Sequence, residues 1–172
     1  GAPITATIDR DLGDGTRVNL QVLFFPVDRP EEIKKLKSLE LTGAWINEAA
    51  EIAKPVLDMC TQRVGRYPPV IEGGPTYYGV ILDTNPPDDD HWYYNFSEVS
   101  KPEGFEFFRQ PGALIEENGK YLPNPLAENL PNIIGGYEYW LKQIPGKAKE
   151  WIKVFLLGQY GTISDGKPVY PE

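Results

Sequence analysis

Near the start of the chain, two stretches of alternating or continuous apolar residues flank a turn. The stretches are residues 4–8 and 17–25, and the turn-forming sequence LGDG lies between them at residues 12–15. This order predicts a β-hairpin with a slightly long turn. A short helix is predicted over Glu31–Leu36, because Pro30 suits the first turn of a helix.

Two further apolar runs have the length of buried strands, and a helical pattern separates them. The runs cover residues 41–46 and 78–83. A helix is predicted from about Pro55, because apolar residues recur at helical spacing on one face. The residues of that face are Val56, Leu57, Cys60 and Val64. We expect the two strands to be neighbours in a parallel sheet, with their carboxyl ends at the same edge.

The second half of the chain is less regular. A short strand is predicted at Phe105–Phe108, and a loop or hairpin is predicted over residues 111–125, turning at ENG (residues 117–119). Helices are predicted over residues 136–144 and 148–157. The expected fold class is therefore α/β, with a mostly parallel sheet, an antiparallel hairpin at one edge and a small, mainly helical region after about residue 100.

Composition and charge exclude several classes of protein. Hydrophobic residues make up 41% of the 172 residues and charged residues 24%, which is typical of a globular chain. The net charge is −8, and the acidic stretch between Asp83 and Glu103 would repel a phosphate backbone, so stand-alone nucleic-acid binding is not expected. No apolar run is long enough to span a membrane. The single cysteine, Cys60, excludes an intramolecular disulfide and is expected to be a buried thiol.

Polar residues follow the first of the two predicted buried strands directly. In nucleotide-hydrolysing motors, the residue that ends such a strand holds Mg²⁺, usually through water, and the next glutamate polarises the attacking water. The pattern therefore predicts Glu48 as the catalytic carboxylate and Asn47 as a contact to Mg²⁺. Asn47 keeps an acceptor oxygen but lacks the usual negative charge. The alternative is that Asn47 and Glu48 simply end a strand and begin a turn.

The second predicted strand also ends in polar residues. The hydroxyl of Thr84 and the amide of Asn85 can hydrogen-bond a γ-phosphate or the catalytic glutamate, and so report which nucleotide is bound. The alternative is turn formation before Pro86, since proline forces the preceding residue into an extended conformation.

The phosphate-binding loop GxxxxGK[ST] that such a site needs is not found in the sequence. Residues 161–167, GTISDGK, come nearest. However, Pro168 occupies the position of the Ser or Thr that would bind Mg²⁺, and proline offers no N–H to phosphate. Arg63 and Arg66 are candidates for placing a guanidinium on the transferring phosphate. The alternative is that both arginines are solvated residues at a helix end.

Two other features are better explained by ordinary structure. The sequence DDDH at residues 88–91 suggests a metal-dependent hydrolase, but consecutive residues rarely converge on one ion, so an acidic loop is expected. The aromatic residues at 92–94 and 105–108 are expected to pack in a small satellite core rather than to stack on bases.

Long runs of the sequence resemble the large terminase subunits of tailed bacteriophages. The runs are LELTGAWINEAA (39–50), RVGRYP (63–68), GVILDTNPPDDDHWYY (79–94), FFRQPGAL (107–114), NPLAENL (124–130) and EWIKVFLLGQYGTISDGKPVYPE (150–172). Together they extend over nearly the whole chain, and runs of this length are more specific than any single triplet.

The resemblance implies a DNA-packaging motor with a RecA-like ATPase domain, a small linker or lid, and an RNase H-like nuclease. Residues 1–100 would be the C-terminal part of the ATPase domain, and residues 101–172 the linker that leads to the nuclease. By the resemblance, Glu48 is the catalytic carboxylate, and Thr84 and Asn85 form the motif that couples hydrolysis to DNA movement. Asn47 departs from the Asp of the general ATPase pattern.

The resemblance also implies ATP and Mg²⁺ as cofactors. The expected partners are double-stranded DNA, the portal protein and the small terminase subunit, with assembly as a homo-oligomer on the portal as a further possibility. The intact protein would also be an endonuclease and would act in the host cell cytoplasm. We expect the 172 residues to be a piece of that protein and to hydrolyse ATP poorly alone, because the phosphate loop is missing. The alternative function is a non-catalytic adaptor module that contacts its partners through aromatic loops.

Overall fold

A computed structural model describes residues 3–27 and 30–161. This part of the chain is mixed α/β, with three two-stranded sheets and five short α-helices. The chain divides into two compact units. The first contains residues 1–45 and 52–81, and the second contains residues 46–51 and 82–172. The functional boundary expected at residue 100 stays a prediction.

The first unit contains the predicted hairpin. Strand β1, Ile4–Asp11, pairs antiparallel with β2, Arg17–Phe24. The guanidinium of Arg17 contacts the carboxylate of Asp9 across the strands at 2.8 Å, and this hydrogen bond lowers the pKa of Asp9. The hairpin prediction is confirmed.

Two helices form the core of the first unit. Helix α1, Pro30–Leu36, packs against α2, Lys54–Arg63. The buried residues of this core are Leu36, Val56, Leu57 and Cys60. Both helices agree with the predictions, and Cys60 is a buried thiol whose pKa is raised by desolvation.

Strands β3, Gly43–Ile46, and β4, Gly79–Leu82, form a two-stranded parallel sheet, and α2 lies between them in sequence. This confirms that the two apolar runs are neighbouring parallel strands. The wider, mostly parallel sheet is represented only by this pair in the described residues, because the other two sheets are antiparallel hairpins.

The second unit begins with a helical segment that the sequence pattern did not predict. Helix α3, Trp92–Tyr94, continues into a π-helical turn over Asn95–Ser100. His91 caps the helix, because its Nδ1 accepts a hydrogen bond from the backbone N–H of Tyr93 at 3.1 Å. Histidine is not one of the residues that usually begin a helix, so the sequence carries no strong signal for this one.

The strand predicted at Phe105–Phe108 is wrong, because these residues have no regular structure. The rings of Phe105 and Phe107 pack edge-on against Phe96, with centroid distances of 4.8 and 5.7 Å. The alternating pattern therefore comes from aromatic packing, as the satellite-core hypothesis expects. Phe108, in contrast, is 88% exposed.

The second hairpin and the last two helices carry the main core of the second unit. Strand β5, Leu114–Glu117, pairs with β6, Lys120–Pro123, through a turn in which Asn118 and Gly119 both have positive φ. Helices α4, Tyr137–Leu141, and α5, Lys149–Phe155, are shorter than predicted. The buried core residues are Leu114, Ile152, Leu156 and Leu157. Among the described helices, none has the length and apolar character needed to cross a membrane.

Candidate functional site

The backbones beyond β3 and β4 stay hydrogen-bonded after both strands have ended. The N–H of Asp83 donates to the carbonyl of Ile46 at 3.2 Å, and the carbonyl of Asp83 accepts from Ala49 at 2.9 Å. These bonds hold the two predicted polar motifs, residues 47–48 and 84–85, at one edge of the parallel pair. The structure therefore brings together the two strand ends that the sequence singled out.

Glu48 lies in the turn that follows β3. Its φ is +52°, a left-handed conformation that costs a non-glycine residue on the order of 1 kcal/mol or more. The carbonyl of Glu48 accepts from the N–H of Glu51 at 2.8 Å, which begins the 3₁₀ turn Ala49–Glu51. The side chain is exposed, and it has no ion pair or hydrogen bond within the described part of the chain. Its carboxylate is thus available to a ligand or a water molecule.

Thr84 links the second motif to the turn that contains Glu48. Its hydroxyl oxygen accepts a hydrogen bond from the N–H of Ala50 at 3.2 Å and donates to the carbonyl of Asn85 at 3.0 Å. Ala49, beside this contact, is completely buried. A displacement of Thr84 or Asn85 would therefore be transmitted to the backbone two residues after Glu48.

The two asparagines of the motifs have exposed side chains. Asn47 follows β3 and Asn85 follows β4, and each offers one acceptor oxygen and one NH₂ group. Oxygen atoms of this kind suit Mg²⁺, which usually keeps several waters and takes its remaining ligands from one or two side chains and from phosphates.

Arg63 and Arg66 belong to the first compact unit, whereas residues 47–48 and 84–85 belong to the second. The Nη1 of Arg63 donates to the carbonyl of Lys37 at 2.8 Å, and its Nε is buried without a hydrogen-bond partner among the described residues. Arg63 thus ties the end of α2 to the segment after α1. Arg66 has an exposed side chain, and its backbone N–H donates to the carbonyl of Leu41 at 3.0 Å.

A cleft of about 310 Å³ in the second unit includes Thr84 and Asn85 in its lining. Other residues in that lining are Tyr93, Arg109, Gln110, Trp140 and Tyr160. Arg109 was not singled out by sequence reasoning. The available signal was its position as the sole cation in the run FFRQPGAL, whose neighbours are aromatic, proline and glycine residues.

Two tyrosines of the cleft keep their protons more tightly than an exposed tyrosine does. Burial, followed by the negative charges of Glu98 and Asp83, raises the pKa of Tyr93. Burial is also the main reason that the pKa of Tyr160 is raised. Both hydroxyls therefore keep their protons, and the O–H of Tyr160 is donated to Oε1 of Glu98.

The acidic sequence at residues 88–91 does not assemble a metal centre. The Nδ1 of His91 is engaged by the N–H of Tyr93. Across residues 3–27 and 30–161, no three His, Cys, Asp or Glu side chains are grouped so that they could hold a metal ion. The sequence GTISDGK at 161–167 lies, after its first glycine, outside the described residues.

Comparison with protein-family models, curated proteins and solved structures finds no match to this chain. The chemistry of the site therefore follows from its own geometry. That geometry consists of an unpaired carboxylate on a strained turn, a threonine bonded to the same turn, and a donor-lined cleft beside the threonine.

Proposed function

We propose that this chain is part of the large subunit of a viral terminase, a motor that uses ATP hydrolysis to move double-stranded DNA into a prohead. In this proposal the parallel pair β3–β4 belongs to a RecA-like ATPase sheet. Residues 101–172 belong to the linker that precedes a nuclease domain.

The observation that carries the proposal is the hydrogen bond from Ala50 to the hydroxyl of Thr84. A motor must transmit the state of its nucleotide to a moving part, so the residue that hydrolyses and the residue that senses must be mechanically joined. Here the sensing candidate, Thr84, bonds directly to the turn that carries Glu48. A simple strand-ending turn does not require this contact between two distant motifs.

Glu48 has the role of polarising the attacking water in this proposal. A carboxylate suits the task because it accepts a hydrogen bond from the water and directs the water's lone pair at the γ-phosphate. The left-handed backbone at Glu48 supports the assignment, since strained conformations cluster at functional sites.

Asn47 would contact Mg²⁺ through water, and Asn85 would contact phosphate. The residues at the strand ends fit a magnesium ion that is held mainly by nucleotide phosphates and water, because they provide exposed oxygen atoms but no group of three acidic ligands. The ion supplies charge neutralisation on the phosphates when it is bound.

The remaining parts of the motor lie outside the 172 residues in this proposal. The phosphate-binding loop comes from another part of the protein, and so do the nuclease carboxylates and the DNA-contacting surface. The portal protein and the small terminase subunit would be partners of the intact protein in the host cell cytoplasm. Arg63 and Arg66 remain candidates for the arginine that acts on phosphate, in the same or a neighbouring subunit.

The proposal is tested by comparing two proteins: the 172-residue chain and the natural reading frame that contains it. The longer protein is expected to contain a GxxxxGK[ST] loop before Ile4 and to hydrolyse ATP in the presence of Mg²⁺. The 172-residue chain is expected to show no turnover above background. A reading frame with no such loop, or Mg²⁺-dependent turnover by the short chain alone, would contradict the proposal.

One observation favours the second candidate function, a non-catalytic adaptor. Val70 and Ile71, in the 3₁₀ turn Val70–Glu72, are 89% and 94% exposed, and adjacent apolar residues at such exposure are suited to contact with another protein. An adaptor would bind its partner equally well with Glu48→Gln or Thr84→Val, but would lose binding with Ile71→Asp.

A further inference from the structure

Trp140 lines the cleft beside Thr84 and Asn85, and it has a hydrogen-bond donor that the protein leaves unused. The indole Nε1 of Trp140 is buried and has no hydrogen-bond partner in the described part of the chain. An indole N–H can only donate, and a buried donor without a partner costs about 1–3 kcal/mol. An acceptor oxygen that reached this N–H after a small shift of the indole ring would remove this cost.

Arg109 places a positive charge on the same cleft. Its guanidinium lies over the ring of Tyr160, 4.9 Å from the centroid, and its Nη2 donates to the carbonyl of Gly158 at 3.3 Å. No carboxylate pairs with Arg109 among the residues that the structure describes. Most of its five N–H groups are therefore available for a ligand.

Tyr160 is itself fixed, so Arg109 rests on a rigid support. The hydroxyl of Tyr160 donates to Oε1 of Glu98 at 2.8 Å, and its ring packs edge-on against Tyr94 with centroids 4.7 Å apart. Glu98 belongs to the π-helical turn, a feature that often marks functional sites. The carboxylate of Glu98 thus accepts the hydrogen bond of Tyr160 and holds the tyrosine ring in place. Arg109, which lies over that ring, is therefore oriented before any ligand binds.

A close backbone contact fixes the segment that carries Arg109. Gly112 lies against the backbone of Leu157, so closely that a Cβ at Gly112 would be 2.3 Å from the carbonyl carbon of Leu157. The carbonyl of Gly112 also accepts from the buried side chain of Asn124 at 2.7 Å. The position of Arg109 is therefore set by the core rather than by a mobile loop.

We propose that this cleft binds the phosphate end of a nucleoside triphosphate, with Arg109 as the phosphate-binding residue and Trp140 as a second donor. The inference rests on the proposed function, and it adds Arg109 to Arg63 and Arg66 as a residue that contacts phosphate. A planar guanidinium matches two phosphate oxygens at once, and Thr84 and Asn85 line the same space. Glu128 is the sole carboxylate in the described lining, and its exposure to solvent screens its repulsion of a phosphate.

The test is calorimetric titration of the 172-residue chain with three probes: tripolyphosphate, ATP and adenosine. The variants are Arg109→Gln, Arg109→Lys and Trp140→Phe. Lys142→Gln is the matched control, because it removes one positive charge from an exposed residue of the same unit. Near-UV circular dichroism establishes that each variant keeps the native packing.

Tripolyphosphate and ATP are expected to bind with similar affinity, and adenosine is expected not to bind. Arg109→Gln should weaken both by about tenfold or more, and Arg109→Lys by less, since lysine keeps the charge but not the planar pair of donors. Trp140→Phe should weaken binding several-fold, and Lys142→Gln should change it by less than about threefold. Unchanged binding by a folded Arg109→Gln variant, no binding by the wild-type chain, or binding of adenosine but not tripolyphosphate would each overturn the inference.

Failure of this inference is distinguishable from failure of the proposed function. One outcome is that Arg109→Gln no longer binds tripolyphosphate while Glu48→Gln leaves ATP hydrolysis by the longer protein intact. That outcome supports the phosphate-binding cleft and contradicts the proposed motor function. The other outcome is that Glu48→Gln abolishes ATP hydrolysis while Arg109→Gln binds tripolyphosphate normally. That outcome supports the motor function and shows that Arg109 is not its phosphate ligand.

Discussion

The backbone N–H of Ala50 donates a hydrogen bond to the side-chain hydroxyl of Thr84, across 34 residues of sequence, at 3.2 Å. The two residues lie just beyond the ends of neighbouring parallel strands. Because Ala50 follows Glu48 by two residues, this bond makes the position of Glu48 depend on Thr84. The proposed coupling between hydrolysis and movement rests on this contact.

Replacing Thr84 with valine should lower the free energy of unfolding by about 1–2 kcal/mol, because the partly buried N–H of Ala50 loses its acceptor. Thr84→Ser keeps the hydroxyl and should lose less than about half of that. Thr61→Val is the control, since the Thr61 hydroxyl bonds only to Asp58 within its own exposed helix turn. Urea denaturation measures all three. An equal loss of unfolding free energy for Thr84→Val and Thr61→Val would show that the hydrogen bond between Ala50 and Thr84 adds no stability beyond that of a local helix contact.

Gly112→Ala should be among the most destabilising single substitutions in the second unit. The new Cβ would overlap the backbone of Leu157, which cannot move aside as a flexible side chain can. We expect a loss of about 3 kcal/mol or more, or failure to fold. Gly104→Ala separates this steric effect from backbone strain, because Gly104 has φ +84° but open space around it. This substitution should lower the free energy of unfolding by about 1 kcal/mol. Thermal unfolding of the two variants gives the comparison, and similar melting temperatures would contradict the steric account.

Stability should fall in alkaline solution as Tyr93 loses its proton. Burial, and then the charges of Glu98 and Asp83, raise the folded-state pKa of Tyr93 above its ordinary value of 10.0. The folded protein therefore holds this proton more tightly than the unfolded chain does. The stabilisation is complete below about pH 10 and is lost as the pH rises through the folded-state pKa.

Tyr93→Phe removes this dependence and should flatten the fall in the free energy of unfolding above pH 10. The measurement is a series of urea denaturations between neutral and alkaline pH, with Tyr77→Phe, at an exposed ring, as the control. An unchanged slope in Tyr93→Phe would mean that Tyr93 does not contribute to the alkaline loss.

Local sequence determines the elements that were predicted correctly. Asn118 and Gly119 adopt the positive φ values of a two-residue hairpin turn without help from distant residues. The apolar face of α2 follows from helical spacing alone, and the continuous apolar runs at β3 and β4 predict buried neighbouring strands. The meeting of Glu48 and Thr84 at one edge follows from the parallel pairing.

The features that were missed depend on tertiary contacts. The alternation at Phe105 and Phe107 has the period of a strand, but the rings pack on Phe96 and none of the strands that the structure describes pairs with them. The cleft around Arg109 depends on the close approach of Gly112 to Leu157, two residues far apart in sequence. A glycine in a loop does not reveal which backbone lies against it.

In the proposed function Glu48 polarises the water that attacks ATP. The most direct measurement of this role is steady-state ATP hydrolysis by the longer protein with Glu48→Gln. Glu51→Gln is the matched control, because Glu51 is an exposed carboxylate in the adjoining turn. We predict that Glu48→Gln lowers kcat by about 10²–10⁴-fold with ATP affinity nearly unchanged, whereas Glu51→Gln keeps kcat within about threefold of wild type. Equal kcat values for Glu48→Gln and Glu51→Gln would contradict the account.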